Sequence, residues 1–292
     1  MEVCVFGAGS LGSLVGGLLA DAHEVHLVGR EPHVSTVREE GLCVTGEFDR
    51  RVHPSASTTP PATSDLALVT VKSFDTAAAA RALADCAVEQ VVSLQNGMGN
   101  EELLGTHLSA PVLAGTCTYG ARLSDPGVVE CTGVGELTVG PRDGGESTAA
   151  ERAGETLSAG LETTVAADMP RRLWEKLAVN AGINAVTALS RVPNGALVDG
   201  PATGVARDAA RETAAVAAGA GIEIPDAPAE TLAVAEATAP NTSSMQQDVL
   251  AGGRTEIDAI NGYIIEQADR PVPVNATLTG LVRAWEQREG HR

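Results

Sequence analysis

The sequence predicts an α/β protein in two parts, a parallel sheet interleaved with helices up to about residue 168 and an all-helical remainder. Three observations predict it. Short β-branched runs at Val3–Phe6, Val25–Val28, Leu66–Val71 and Val91–Leu94 alternate with helical patterns at Leu11–Ala20 and Thr76–Ala84, as buried strands alternate with crossover helices. From Pro170 onward nothing reads as strand, and alanine-rich segments are punctuated at Pro193-Asn194-Gly195, Ile224–Pro228 and Ala251-Gly252-Gly253. A chain of 292 residues is also long for one core and comfortable for two, which places the domains at 1-168 and 169-292.

Between Val91 and residue 168 the pattern turns strand-rich. Val112–Gly120, Val128–Cys131 and Glu136–Gly140 are separated by turns such as Ser124-Asp125-Pro126-Gly127, and are expected to extend the same sheet in antiparallel fashion. Arg142–Ser147 reads as a polar loop, Ser147–Ala159 as an amphipathic helix and Glu162–Ala166 as a last strand. In the second part, Ala206–Ala220 reads as a packing helix.

The first strand runs directly into Gly7-Ala8-Gly9-Ser10-Leu11-Gly12, which opens the first helix. In that context each glycine has a physical reason: Gly7 for the tight turn, Gly9 for close approach of backbone amides to a pyrophosphate, Gly12 for close packing of helix on strand. The sequence thus predicts an N-terminal Rossmann-type dinucleotide-binding domain followed by an all-helical C-terminal domain, with cofactor contacts from Gly7, Ala8, Gly9, Ser10, Leu11 and Gly12. At the end of the second strand, where NAD enzymes usually place an acid, stands Arg30, which suits the 2′-phosphate of NADP(H). Glu31 beside it keeps NAD(H) open as the lesser choice.

Composition excludes several function classes. Asp plus Glu number 38 against 20 Lys plus Arg, a net charge of −18, so nucleic acid and anionic membrane are poor partners. The acid excess with 2% aromatics resembles a cytoplasm that accumulates salt, which concerns solubility rather than chemistry. Five scattered cysteines without a Cys-x-x-Cys pair argue against a disulfide framework or zinc site, and the six histidines lack metal-ligand spacing; no metal is expected. No apolar run approaches the ~20 residues that span a bilayer, and the start lacks a basic leader, so a cytoplasmic protein is expected.

Only two positive charges are lysine, Lys72 and Lys176; the remaining eighteen are arginine. An ammonium retained where arginine otherwise serves points to a proton that must be released. Lys176, Asn180 and Asn184 advance about 40° per four-residue step and form one polar stripe on a helix otherwise apolar on nearly every face. Lysine and asparagine suit reduction of a carbonyl. The ammonium donates a proton to the oxygen as hydride reaches the carbon, while amides hold the substrate in register. Val69-Thr70-Val71-Lys72 and Gln95-Asn96-Gly97-Met98-Gly99 follow parallel strands, on the side where open α/β sheets bind ligands. Further on, Ser244 within Ser243-Ser244-Met245-Gln246-Gln247-Asp248 reads as a helix N-cap, and Glu256 within Arg254-Thr255-Glu256-Ile257-Asp258 as a first-turn carboxylate.

Taken together, Gly-Ala-Gly-Ser-Leu-Gly at 7–12, Val-Lys at 71–72, Gln-Asn-Gly-Met-Gly at 95–99, Lys-Leu-Ala-Val-Asn-Ala-Gly-Ile-Asn at 176–184, and the segments 243–248 and 254–258 resemble the ketopantoate reductase family over Gly7 to Ile257. The resemblance implies that Lys176 is the general acid, that Asn96, Asn180, Asn184 and Ser244 position the substrate, and that Glu256 contacts its hydroxyl or the catalytic lysine. It further implies that Lys72 lies near the nicotinamide and Asn96 near the ribose. The implied reaction is NADPH-dependent reduction of 2-dehydropantoate to (R)-pantoate, for pantothenate and coenzyme A synthesis. A small 2-keto acid is then the expected partner, and a homodimer is admitted. Cys131-Thr132-Gly133 departs from the family, where many members carry a histidine before the glycine. The alternatives are a β-hydroxyacid or other 2-keto acid dehydrogenase, and, in a different class, a non-catalytic nicotinamide-sensing regulator.

Overall fold

The computed structural model describes Met1–Arg292, which divide into two compact units. The first comprises Met1–Gln95 and Asn100–Met169; the second comprises Pro170–Arg292 together with Asn96–Gly99. That short loop is the one place where sequence order and spatial membership part company.

In the first unit the chain forms β1 (Glu2–Phe6), α1 (Ser10–Leu19), β2 (Glu24–Val28), α2 (His33–Glu40), β3 (Leu42–Gly46), β4 (Arg50–Val52), β5 (Ser55–Ser57) and β6 (Thr63–Val69). After a 3-10 turn at Ser73–Asp75 follow α3 (Thr76–Leu83), β7 (Ala87–Ser93), α4 (Asn100–Gly105), β8 (Val112–Cys117), β9 (Gly120–Asp125), β10 (Val128–Gly133), β11 (Leu137–Pro141), α5 (Thr148–Ser158) and β12 (Thr163–Val165). An eight-stranded sheet has the order β12-β11-β8-β7-β6-β1-β2-β5. Its members from β8 to β5 run parallel, and β11 pairs antiparallel with β8. From β1 the chain first builds outward to β2 and β5, then returns to place β6 on the other flank. The crevice beyond the carboxyl ends of β1 and β6 is therefore the topological switch point.

The antiparallel extension holds for β11 alone: β8, expected to be antiparallel, continues the parallel run beside β7, and β9 and β10 are not in this sheet. Those strands leave the main sheet and join β3 and β4 in a second sheet, order β4-β3-β10-β9, in which β10 runs parallel to β3. Helix α1 explains the departure. Its Leu14, Val15, Leu18 and Leu19 are buried, and the helix is covered on two sides. A Cβ at Gly16 would press on Leu27 and Val5 of the large sheet, and one at Gly17 on Val44 and Leu42 of the small one. A helix apolar on both flanks needs two apolar surfaces, and the small sheet supplies the second. His33 locks this layer: buried, its Nδ1 accepts from Gly127 N–H at 3.0 Å while Nε2 lies 3.0 Å from Ser13 Oγ, joining α2, the β9–β10 turn and α1. Burial holds its pKa below the ordinary histidine value.

The five cysteines are free, and burial pushes the Cys4 thiol up to about 12, with Cys86 beside it adding to the shift. No group of three or more His, Cys, Asp or Glu is gathered to hold a metal ion. No helix is long and apolar enough to cross a membrane.

The second unit is built on α6 (Met169–Ser190), followed by α7 (Thr203–Gly219), α8 (Ala227–Ala237), α9 (Ser244–Leu250), a π-helical turn at Asp258–Gly262, α10 (Tyr263–Gln267) and α11 (Pro273–Arg288). Trp174, Leu177, Ala178, Ala181, Ile183, Ala185, Val186 and Ala188 of α6 enter one core with Ala206, Ala210, Met245, Ile257, Ile260, Ile264 and Val282. Small side chains dominate, so the helices approach closely: a Cβ at Gly182 would meet Thr231 Cγ2 at 2.6 Å and Ala206 O at 2.7 Å.

Candidate active site

In the first unit the glycine motif occupies the switch point. Gly7 has φ +119°, and a Cβ there would sit 2.6 Å from Val71 N, so only glycine lets β1 turn beneath the loop that follows β6. A Cβ at Gly12 would overlap Gly7 O and lie 2.5 Å from Thr70 Oγ1, while Thr70 Oγ1 itself donates to Gly7 O at 2.9 Å. Gly9, by contrast, is exposed, and a Cβ on it would meet only Gly7 O at 3.9 Å. The tight glycines thus shape the turn, and the open one presents its backbone. Gly9 caps α1 without a side-chain bond, and no acidic residue sits in the first turn. An uncapped N-terminus facing an open glycine fits a pyrophosphate.

Of the other residues proposed for the cofactor, Arg30 and Lys72 lie in the same unit, whereas Asn96 belongs to the second. The strand expected through Val71 ends at Val69, so Lys72 lies in the following loop, half-buried, just before the 3-10 turn. A strand-end loop is freed from the ladder and can turn its side chains toward a ligand. Arg30 follows β2 and is 87% exposed at its side chain, where its Nη2 pairs with Asp75 Oδ2 at 2.9 Å. Sequence reading found Arg30 and missed Asp75, because the two stand 45 positions apart.

In the second unit the Lys176 stripe lies on α6 as its spacing required. Lys176 and Asn180 keep part of their surface and Asn184 is 5% exposed, on a helix whose remaining central residues are almost all buried. Three further segments are fixed to this helix or to one another. Asn261 Nδ2 donates to Ala181 O at 3.2 Å, between Asn180 and Asn184, and to Asn275 Oδ1 at 2.9 Å. Asn275 in turn donates to Ala209 O at 3.1 Å and Glu212 Oε2 at 2.8 Å, so a buried polar chain crosses α6, the π-helical turn, α11 and α7. The Asn96–Gly99 loop joins through Met98 N–H, which donates to Ala259 O at 3.0 Å; Gly97, at φ +81°, has Ala259 O only 2.5 Å from where a Cβ would stand.

Two sequence expectations are corrected here. The cap of α9 is Ser243, whose Oγ accepts from Gln246 N–H at 3.2 Å, and Ser244 is the first helical residue. Ser243 is buried, with its hydroxyl 2.7 Å from that of Thr187 on α6, so one side chain both starts the helix and docks it, leaving Ser244 half-exposed. Glu256 does not sit in the first turn of an α-helix. It precedes the π-helical turn, its carbonyl accepting from Ala259 and Ile260 N–H at 3.1 Å each, and it is 4% exposed. Irregular helical turns of this kind re-aim side chains and recur at functional sites. Asn261, Asn275 and Thr187 escaped the sequence reading because single Asn and Thr residues among helices carry no periodic signal, whereas Ser243 stood in the motif with its neighbour taken as the cap.

A pyrophosphate-shaped glycine turn in one unit and a Lys-Asn-Asn stripe in the other define a class, the two-domain dinucleotide-dependent oxidoreductases. Comparison with known proteins narrows it. Residues 3–144 match the family ketopantoate reductase PanE/ApbA, and residues 168–286 match ketopantoate reductase PanE/ApbA C terminal. A protein of Halobacterium salinarum named 2-dehydropantoate 2-reductase is 45% identical, over 99% of this chain and 100% of its own length. A protein of the same name from Archaeoglobus fulgidus is 42% identical over 98% of each. Among solved structures, a PanE/ApbA family ketopantoate reductase from Ralstonia eutropha superposes with TM-score 0.90 at 35% identity, covering both chains fully. A D-mandelate dehydrogenase bound to NADH and anilino(oxo)acetate has TM-score 0.90 at 25% identity, over 99% of this chain and 100% of its own. The chain belongs to the ketopantoate reductase family and is an oxidoreductase of that nicotinamide-dependent family.

Proposed function

We propose that this chain is a 2-dehydropantoate 2-reductase that uses NADPH to reduce the C2 ketone of 2-dehydropantoate, giving (R)-pantoate in the cytoplasm for pantothenate and coenzyme A synthesis. The observation that carries the reading is the Lys176, Asn180, Asn184 stripe on a helix otherwise given over to the core. Bound nicotinamide supplies the hydride. Charge then develops on the ketone oxygen, and the Lys176 ammonium donates its proton there, leaving a neutral amine that water reprotonates. Asn96, Asn180, Asn184 and Ser244 hold the carboxylate and hydroxyl of the substrate, and Glu256 bonds the hydroxyl or the lysine. Gly7 to Gly12 would hold the pyrophosphate, Lys72 would lie beside the nicotinamide and Arg30 would take the 2′-phosphate. That phosphate must draw Arg30 from Asp75, an exposed pair that costs little to open.

A second reading, reduction of another 2-keto acid with NADH, is favoured by the Asp75 pairing of Arg30 and by the likeness to D-mandelate dehydrogenase. NADPH and NADH oxidation across ketopantoate and related 2-keto acids, at high salt, separates the two. Ketopantoate with NADPH is expected to give the highest kcat/KM, and no turnover of ketopantoate by folded protein would sink the proposal. Lys176→Arg keeps the charge but not the releasable proton, so kcat is expected to fall by about 100-fold or more. Unchanged kcat would remove the acid role.

A further inference from the structure

Glu286 is an acid in the interior, wholly buried on α11, and it spends its carboxyl on a segment 31 residues earlier. Its Oε1 accepts from Thr255 N–H at 2.8 Å and from Thr255 Oγ1 at 2.6 Å, while Oε2 accepts from Arg292 Nε at 2.5 Å. The Thr255 hydroxyl, having donated to Glu286, accepts from Ile257 N–H at 3.3 Å. One carboxyl thereby fixes the residue before Glu256 directly and the residue after it through a hydroxyl. Both are buried, Thr255 at 2% and Ile257 at 0% exposure. Downstream, Asp258 is held by Arg283, at 2.7 Å from Nη2 and 2.8 Å from Nε, and by Arg292. Burial alone would raise the pKa of Asp258, but hydrogen bonds and charge from Arg292 and Arg283 outweigh it and hold the carboxyl below its ordinary value.

Burying an acid is expensive unless every lone pair is used, so a fully engaged carboxyl at this point calls for a reason beyond packing. An apolar residue on α11 would fill the same space without desolvation. We infer that Glu286 and Thr255 are positioning residues for Glu256: they fix the backbone on both sides of it, so that its carboxylate is offered to the keto acid in one place. This rests on the proposed role of Glu256. A loose Glu256 would have to be ordered at each binding event, and that cost would appear in substrate affinity rather than in dinucleotide affinity.

The test uses Thr255→Val, which keeps the shape and removes the hydroxyl, with Thr255→Ser as the conservative rescue and Glu286→Gln as the second lesion. Three quantities are read: amide exchange at 255 and 257, KM for ketopantoate, and the dissociation constant of NADP+. In Thr255→Val and Glu286→Gln, exchange is expected to quicken and KM to rise, each by about ten-fold, with NADP+ binding unchanged. Thr255→Ser should return both to parental values. Unaltered exchange in either lesion overturns the clamp. Quickened exchange with parental KM, where Glu256→Gln is itself impaired, shows a structural tie only and overturns the positioning role. If Glu256→Gln is fully active, the reading of Glu256 fails and the positioning role falls with it, whereas the exchange data still report whether the clamp exists.

Discussion

The two units carry their proposed ligand groups in opposite ways. The switch point of the first is made of backbone: Gly7 and Gly12 are there for the atoms they lack, and Gly9 for the surface it opens. In the second the proposed ligand groups are side chains, carried on α6, the Asn96–Gly99 loop, α9 and the turn at 254–262, and these elements are tied to their neighbours by Asn261, Asn275, Ser243 and Glu286. A backbone site is written in one short stretch of sequence and tolerates no added atom. A side-chain site is dispersed and should degrade by degrees as its supports are removed.

The sharpest way to break this contrast is Gly12→Ala. A single methyl would overlap Gly7 O, a backbone atom of the turn itself, and press on Thr70 Oγ1, which is hydrogen-bonded to that oxygen. Destabilisation of about 1–3 kcal/mol, with loss of measurable NADP+ binding by calorimetry, is expected. Parental affinity would show that the turn is softer than its packing implies. Next comes Arg30→Asp, which replaces the proposed 2′-phosphate partner by a repelling charge. The ratio of NADPH to NADH kcat/KM should fall by roughly ten-fold or more, the size of a charge-assisted hydrogen bond. A constant ratio would remove Arg30 from cofactor choice.

On the side-chain site the effects should be graded. Ser243→Ala deletes the cap of α9 and its contact with Thr187, for an expected loss of about 1 kcal/mol in denaturant unfolding; Ser244→Ala, one residue on, should leave stability unchanged. Equal losses would deny that Ser243, and not Ser244, is the support of α9. Smallest is a slope with pH. His33 titrates below its unfolded value, so the stability of the neutral, bonded ring is complete above about pH 6.5 and is lost as pH falls from there toward the folded pKa. Thermal melts between pH 7.5 and 5 should show that decline, and His33→Asn should lessen it, leaving the part due to His26, whose pKa burial also lowers.

The same contrast governs what could be read from the chain. The α/β alternation, the glycine turn and the Lys176 stripe were legible because each is periodic or contiguous: β-branched runs, a six-residue motif, a four-residue spacing. Three strands and a helix between His33 and Ser57 were not, since β4 and β5 are three residues each and α2 is largely polar. Too few side chains enter the core there to impose a period. The second sheet was invisible for a different reason, because β10 pairs with β3 across 85 positions and no local pattern encodes a partner.

By itself, then, the sequence determined that a dinucleotide-type turn opens the chain and that a lysine and two asparagines share a helix face, because backbone sterics and helical periodicity act over a few residues. Only the tertiary structure decided that Asp75 answers Arg30, that Ser243 rather than Ser244 caps α9, and that Glu286 grips the residue before Glu256. Those relations depend on which distant surfaces meet when the cores close, and burial is what turns a stray polar side chain into a partner that must be satisfied.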